Sequence, residues 1–174
     1  FAFPVNTNLS FQKKALAIID PTIFKLQSSN PLSWSYIFSG NPATTYSGTS
    51  HYIGYTALNN GGEYQIITHI NTLPSLPAGS VVTNAAINVR HSTFSNDSSA
   101  NYMMMEAHRL TIDKSSGQTY DNWLKNMTWN NVHPGGATNY NSRIEDFTKL
   151  TSSTTGTYIA LDLTRAVRDW YQNG

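Results

Sequence analysis

The strongest constraint on this chain is a series of short segments that alternate apolar and polar residues with period two, most of them lying between turn clusters. His51–Tyr55 follows Gly40-Asn-Pro42 and Ser47-Gly48. Tyr64–Ile70 follows Asn59-Asn-Gly-Gly62, a hairpin signal. Val82–His91 follows Leu76-Pro-Ala-Gly79 and places Ile87, Val89 and His91 on one face, with Ala86, Asn88 and Arg90 on the other. Tyr102–Ile112 is the longest apolar stretch, with Met103, Met105 and Ala107 on a shared face. Ile159–Leu163 completes the set. Short strands at this spacing predict an all-β fold, an antiparallel β-sandwich.

One helix interrupts that pattern, at the C-terminal end. Thr164 is placed as its N-cap, Ala166, Val167 and Trp170 fall at helical spacing, and Gly174 sits where a C-terminal glycine belongs. Trp129, Val167 and Trp170 are expected as core anchors, with Trp170 plugging one end of the sandwich. Asp113–Leu150 reads as a long polar, loop-like stretch anchored by Trp123 and Trp129, of a length that is either functional or carries short strands of its own.

Composition narrows the function classes. The chain of 174 residues suits one domain able to bury a core. It holds 18 Asn, 19 Ser and 20 Thr, while charged residues make up only 12%. That balance is expected of an exported β-rich surface protein, and a net charge of +1 without a basic run argues against nucleic acid as a partner. No cysteine is present, which excludes disulfides, thiolate catalysis and zinc–thiolate sites. No apolar run approaches the ~20 residues of a membrane span, and any export signal is expected to have been removed already. The sequons Asn96-Asp-Ser98 and Asn126-Met-Thr128 would matter only in a glycosylating host.

Four segments taken in order carry a resemblance. They are Leu76-Pro-Ala-Gly-Ser-Val-Val-Thr-Asn-Ala-Ala-Ile-Asn-Val89, Ala107-His-Arg-Leu110, Trp123 with Thr128-Trp-Asn-Asn131, and Leu161-Asp-Leu-Thr-Arg-Ala-Val-Arg-Asp-Trp170. Together they resemble the DNRLRE domain over roughly Trp34 to Gly174, although the name-giving hexapeptide is absent. The resemblance implies a jelly-roll module of exported surface proteins, including wall-associated Rhs/YD-repeat proteins. Some such modules bind carbohydrate. It also implies two further strands after the helix and its glycine, and Phe1-Ala-Phe3 looks like their opening, displaced to the front.

On that reading residues 1–19 are donor or permuted strands, 20–33 a linker, and 34–174 the jelly-roll domain. The head could close on its own domain, belong to a tandem array cut out of phase, or enter a neighbouring copy. Phe1, Phe3, Val5, Leu9 and Phe11 would form the inserted row. At ~1.5–3 kcal/mol for each buried large side chain, they would contribute on the order of 10 kcal/mol before ordering costs.

For chemistry, His69, His91 and His108 would converge only if their strands were neighbours in matching register. No HExxH or calcium-loop pattern exists, so no metal or cofactor is predicted; calcium held by loop carbonyls would leave no signature. Gly-x-Ser-x-Gly is absent, and Glu145 and Asp146, as sequence neighbours on a strand, would point to opposite faces. Asp162 and Asp169 are given capping or structural roles. The chain is therefore expected to be non-enzymatic.

Sugars stack on exposed aromatic faces, which nominates Trp34, Tyr36, Tyr46, Tyr52, Trp123 and Tyr140 for glycan binding. The leading expectation is an extracellular structural or adhesive unit, joined through terminal strands to copies of itself or to flanking repeats. A carbohydrate-binding module taking a polysaccharide is the alternative, and the scaffold part of an Rhs-type toxin a second one.

Overall fold

The structure, a computed structural model, describes residues 32–47, 51–56, 61–70, 73–94 and 101–173. Its strands are β1 (Leu32–Phe38), β2 (Gly54–Thr56), β3 (Gly62–Ile70), β4 (Ala86–Arg90), β5 (Met103–Leu110), β6 (Tyr140–Leu150) and β7 (Tyr158–Asp162). The helices are α1 (Tyr120–Lys125), α2 (Trp129–Val132) and α3 (Thr164–Asn173). The proposed inserted row Phe1, Phe3, Val5, Leu9 and Phe11 lies outside the described residues.

All strand pairing is antiparallel, but it does not make a jelly roll. Among the described residues the strands form three separate small sheets, β1-β3-β2, β4-β7 and β5-β6. The all-β sandwich expectation is thus corrected to a mixed fold of open sheets with three helices, two of them internal. The physical reason lies on one face of β1–β3. Ile37 and Ile67 bury there against Leu124, Met127 and Val132, so helices fill the space a facing sheet would take.

The stretch 113–150, read as a loop, holds α1, α2 and β6. Thr119 caps α1 by accepting from the Asn122 amide, and Thr128 caps α2 by accepting from the Asn131 amide. Asn131 returns the favour: its Oδ1 accepts from the Thr128 amide, closing a capping box. β6 is mostly exposed and lacks a clean alternation, yet it pairs with the methionine strand from Met103↔Leu150 to Leu110↔Tyr140, with register shifts on either side of His108.

A second core joins the two smaller sheets. Ile87, Met105, Leu150 and Leu161 are buried together, with Trp34, Val89, Met103, Ala107 and Ile159 packed around them. The face assignments for β4 and β5 therefore hold. The β2–β3 hairpin also forms, with Thr56↔Gly62 and Gly54↔Tyr64 in register.

α3 docks by Ala166 and Val167, both buried, while Trp170 keeps 40% of its surface exposed and is no plug. Thr164, expected at the N-cap, sits within the first turn: its amide donates to Asp162 Oδ1, and its hydroxyl accepts from the Ala85 amide. Trp129 packs against the first core from a half-buried position.

Candidate functional site

Sheet β1-β3-β2 has two chemically different faces, and the strand pleat decides which residues go where. Registered partners share a face, so Trp34/Thr68, Tyr36/Ile66 and Phe38/Tyr64 lie on one side. Ser33/His69, Ser35/Ile67 and Ile37/Gln65 lie on the other, beneath α1 and α2.

On the first face the rings form a continuous cluster. Tyr36 stacks on Tyr46 with centroids 4.8 Å apart, and Phe38 stacks on Tyr64 at 4.2 Å. Tyr52 meets Tyr36 edge-on at 5.5 Å and Tyr64 at 5.6 Å. His51 lies 6.2 Å from the Trp34 ring and 6.1 Å from that of Tyr36. Exposure is graded across the cluster. Phe38 is buried, Trp34, Tyr36, Tyr46 and Tyr64 are half-buried, and Tyr52 is 55% exposed.

The cluster depends on glycine at its base. A Cβ on Gly40 would stand 2.4 Å from Phe38 Cζ, and one on Gly62 would stand 2.8 Å from Phe38 Cε2. Only two bare backbone segments let that ring lie flat against Tyr64.

Burial raises the Tyr36 phenol above its ordinary value, and Tyr52, Tyr46 and Tyr64 reinforce the shift. Burial lowers the His51 imidazole, opposed by a backbone hydrogen bond at Trp34. Both groups are thereby held neutral around pH 7. His51 Nε2 is buried, with no hydrogen-bond partner among the described residues.

Four of the six nominated aromatics, Trp34, Tyr36, Tyr46 and Tyr52, thus come together. Trp123 and Tyr140 do not; they pack against the helix-side core. Sequence reasoning missed Tyr64, Phe38 and His51. The Trp34-x-Tyr36-x-Phe38 spacing could have found Phe38, since alternate residues of a strand share a face.

The histidines do not converge. His69 stacks on Tyr120, His91 Nδ1 meets Thr154 Oγ1 at 2.9 Å, and His108 Nδ1 meets the Asn141 carbonyl at 3.0 Å. Among the described residues no group of three or more His, Cys, Asp or Glu could hold a metal ion.

A polar cleft of about 390 Å³ lies at the start of α3, lined by Thr83, Glu145, Asp162, Thr164, Arg165 and Arg168. The Glu145 side chain is 3% exposed and lies 2.6 Å from Arg109 Nε and 2.7 Å from an Arg165 terminal nitrogen. Burial alone would raise its pKa, but Arg165 and Arg109 outweigh burial and hold it below the usual value. The Thr164 hydroxyl and amide likewise hold Asp162 low. Neither carboxyl is kept protonated at neutral pH for general-acid work. Asp169 bonds Arg109 at 2.8 Å, so this network fastens α3 to β5 and β6. Asp146 accepts from the Asp162 amide at 2.8 Å and takes no part in those ion pairs.

A scan against known protein families, and searches of curated proteins and solved structures, give no match to this chain.

Proposed function

We propose that this chain is a non-enzymatic, extracellular module that binds polysaccharide on the aromatic face of sheet β1-β3-β2. One observation carries the reading: Tyr36, Tyr46 and Tyr52, nominated for sugar stacking, lie in one ring cluster that ends in the exposed Tyr52, and Trp34 joins it through His51 from its place against the second core. Sugar rings present flat C–H faces that stack on such side chains, while phenol hydroxyls supply hydrogen bonds at the rim. The test is affinity electrophoresis through polysaccharide-loaded gels. Tyr52→Ala should weaken retardation about tenfold, the equivalent of about 1.4 kcal/mol. Trp123→Ala should leave it unchanged. Free migration in every gel removes the reading.

Assembly through terminal strands is the second reading, and the open sheets favour it. Among the described residues each sheet has only two or three strands, so its outer strands carry one ladder there and leave an edge that an extended segment could join. Deleting Phe1–Lys13 should abolish long assemblies and leave a soluble, less stable unit. Unchanged strings in negative-stain images would remove it.

A further inference from the structure

The charges of this chain are strongly segregated. Between Leu26 and Val89 the sequence contains a single Asp, Glu, Lys or Arg, namely Glu63. That stretch supplies the whole three-stranded sheet and both loops that bring rings to it.

The sheet register turns Glu63 away from the rings. Glu63 lies one residue from Tyr64, so the pleat puts it on the face shared with Gln65. Gln65 Nε2 donates to Glu63 Oε1 at 2.9 Å, and the Glu63 charge is felt by His133 on the helix side. The ring face carries Trp34, Tyr36, Phe38, Tyr64, Ile66 and Thr68 from its two long strands. The described loop residues 41–47 and 51–53 add Tyr46, His51 and Tyr52 and no charged side chain.

This deepens the polysaccharide reading and rests on it: we infer that the ligand is an uncharged pyranose polymer, stacked along Tyr46, Tyr52 and Tyr64. A uronate or sulfate seated there would lose water and meet no guanidinium or ammonium from the described strands and loops of this sheet, a cost of several kcal/mol. An amino sugar would meet no carboxylate from those same strands and loops, Glu63 being on the other face. A quaternary ammonium needs ring faces converging on an open centre. Here the faces cover one another, Tyr36 on Tyr46 and Phe38 on Tyr64, so these rings form no such cage.

The experiment uses the full 174-residue chain in gels holding hydroxyethylcellulose, glucomannan or arabinoxylan as neutral polymers, and alginate, polygalacturonate, heparin or chitosan as charged ones. At least one neutral polymer should retard it, with less than about a twofold change on raising salt to ~0.5 M, where exposed charges are screened. Tyr46→Ala and Tyr64→Phe separate stacking from hydrogen bonding: the first should abolish retardation, the second should weaken it about threefold. Circular dichroism checks that each variant is folded. Retardation by charged polymers alone, or binding that salt removes, overturns the inference and leaves a polysaccharide module standing. Retardation by none of them, or binding of a proline-rich peptide instead, overturns both.

Discussion

Tyr36 and Tyr46 meet twice, once by backbone and once by ring. They form an isolated antiparallel bridge, and their side chains stack at 4.8 Å with planes 25° apart. The Ser35 hydroxyl locks the arrangement by donating to the Tyr46 carbonyl at 2.7 Å. This single bridge folds the loop after β1 back over its own strand and brings Tyr46 onto the ring face. Tyr46→Ala should therefore cost stability as well as binding, about 1–2 kcal/mol from the lost stack and buried area. The midpoint of urea unfolding reads this directly, and an unmoved midpoint would mean the ring carries no structural weight.

The seat of Phe38 gives a sharper contrast between two glycines of positive φ. At Gly62, φ is +152° and a Cβ would lie 2.6 Å from both the Gly40 amide nitrogen and Ser39 Oγ. At Gly79, φ is +82° and nothing lies within 4 Å. Gly79→Ala should cost only the backbone strain, about 1 kcal/mol. Gly62→Ala adds displacement of the Phe38 ring and should cost more than about 2 kcal/mol. Near-ultraviolet circular dichroism of the tyrosines should change for Gly62→Ala alone. Equal losses for the two variants would contradict the packing described.

Glu145→Gln keeps the shape of the side chain and removes the charge between Arg109 and Arg165. Full burial of all three groups would make the loss 3–5 kcal/mol, but Arg165 retains 35% exposure, which lowers the expectation to about 2–3 kcal/mol. The loss should appear mostly as earlier release of α3, readable by hydrogen exchange at the amides of Ala166 and Val167. Uniform protection across α3 in the variant would show that the ion network is not what fastens the helix.

Acid should act in two stages. Burial lowers His51 and His133 below the ordinary imidazole value of 6.5. Just below that pH the unfolded chain therefore binds more protons than the folded one, and stability falls as pH drops from 6.5 toward the folded values, then levels off. Glu145 is held below its ordinary 4.5, so its contribution is present above that pH and is lost as pH falls through its lower folded value. Urea midpoints taken from about pH 8 down to about pH 3 should trace both stages. A His51→Phe, His133→Gln double variant should flatten the first stage alone. Wild-type midpoints that stay level between about pH 7 and pH 5 would be incompatible with buried neutral imidazoles.

Much of the strand content was legible because burial imposes period two. Ile87 and Val89 face the second core as their alternation requires, and Met103, Met105 and Ala107 join them there. β6 was not legible, since Tyr140–Leu150 is polar and largely exposed and is held by its ladder to β5. The two internal helices were also hidden. Helices of six and four residues, as α1 and α2 are, show no helical period, and their caps Thr119 and Thr128 are two threonines among the 20 of the chain.

By itself the sequence determined which side chains could share a strand face, where turns would fall, and that a third of the chain would carry one charge. Those properties are local, set by the pleat and by residue type. Only the tertiary structure decided that helices rather than a second sheet cover β1–β3, and that Tyr46, Tyr52 and Tyr64 meet Tyr36 while Trp123 and Tyr140 are drawn to the opposite core. Such meetings depend on which strand pairs with which and in what register. That pairing is fixed by packing between segments far apart in the chain, and no short window of residues contains it.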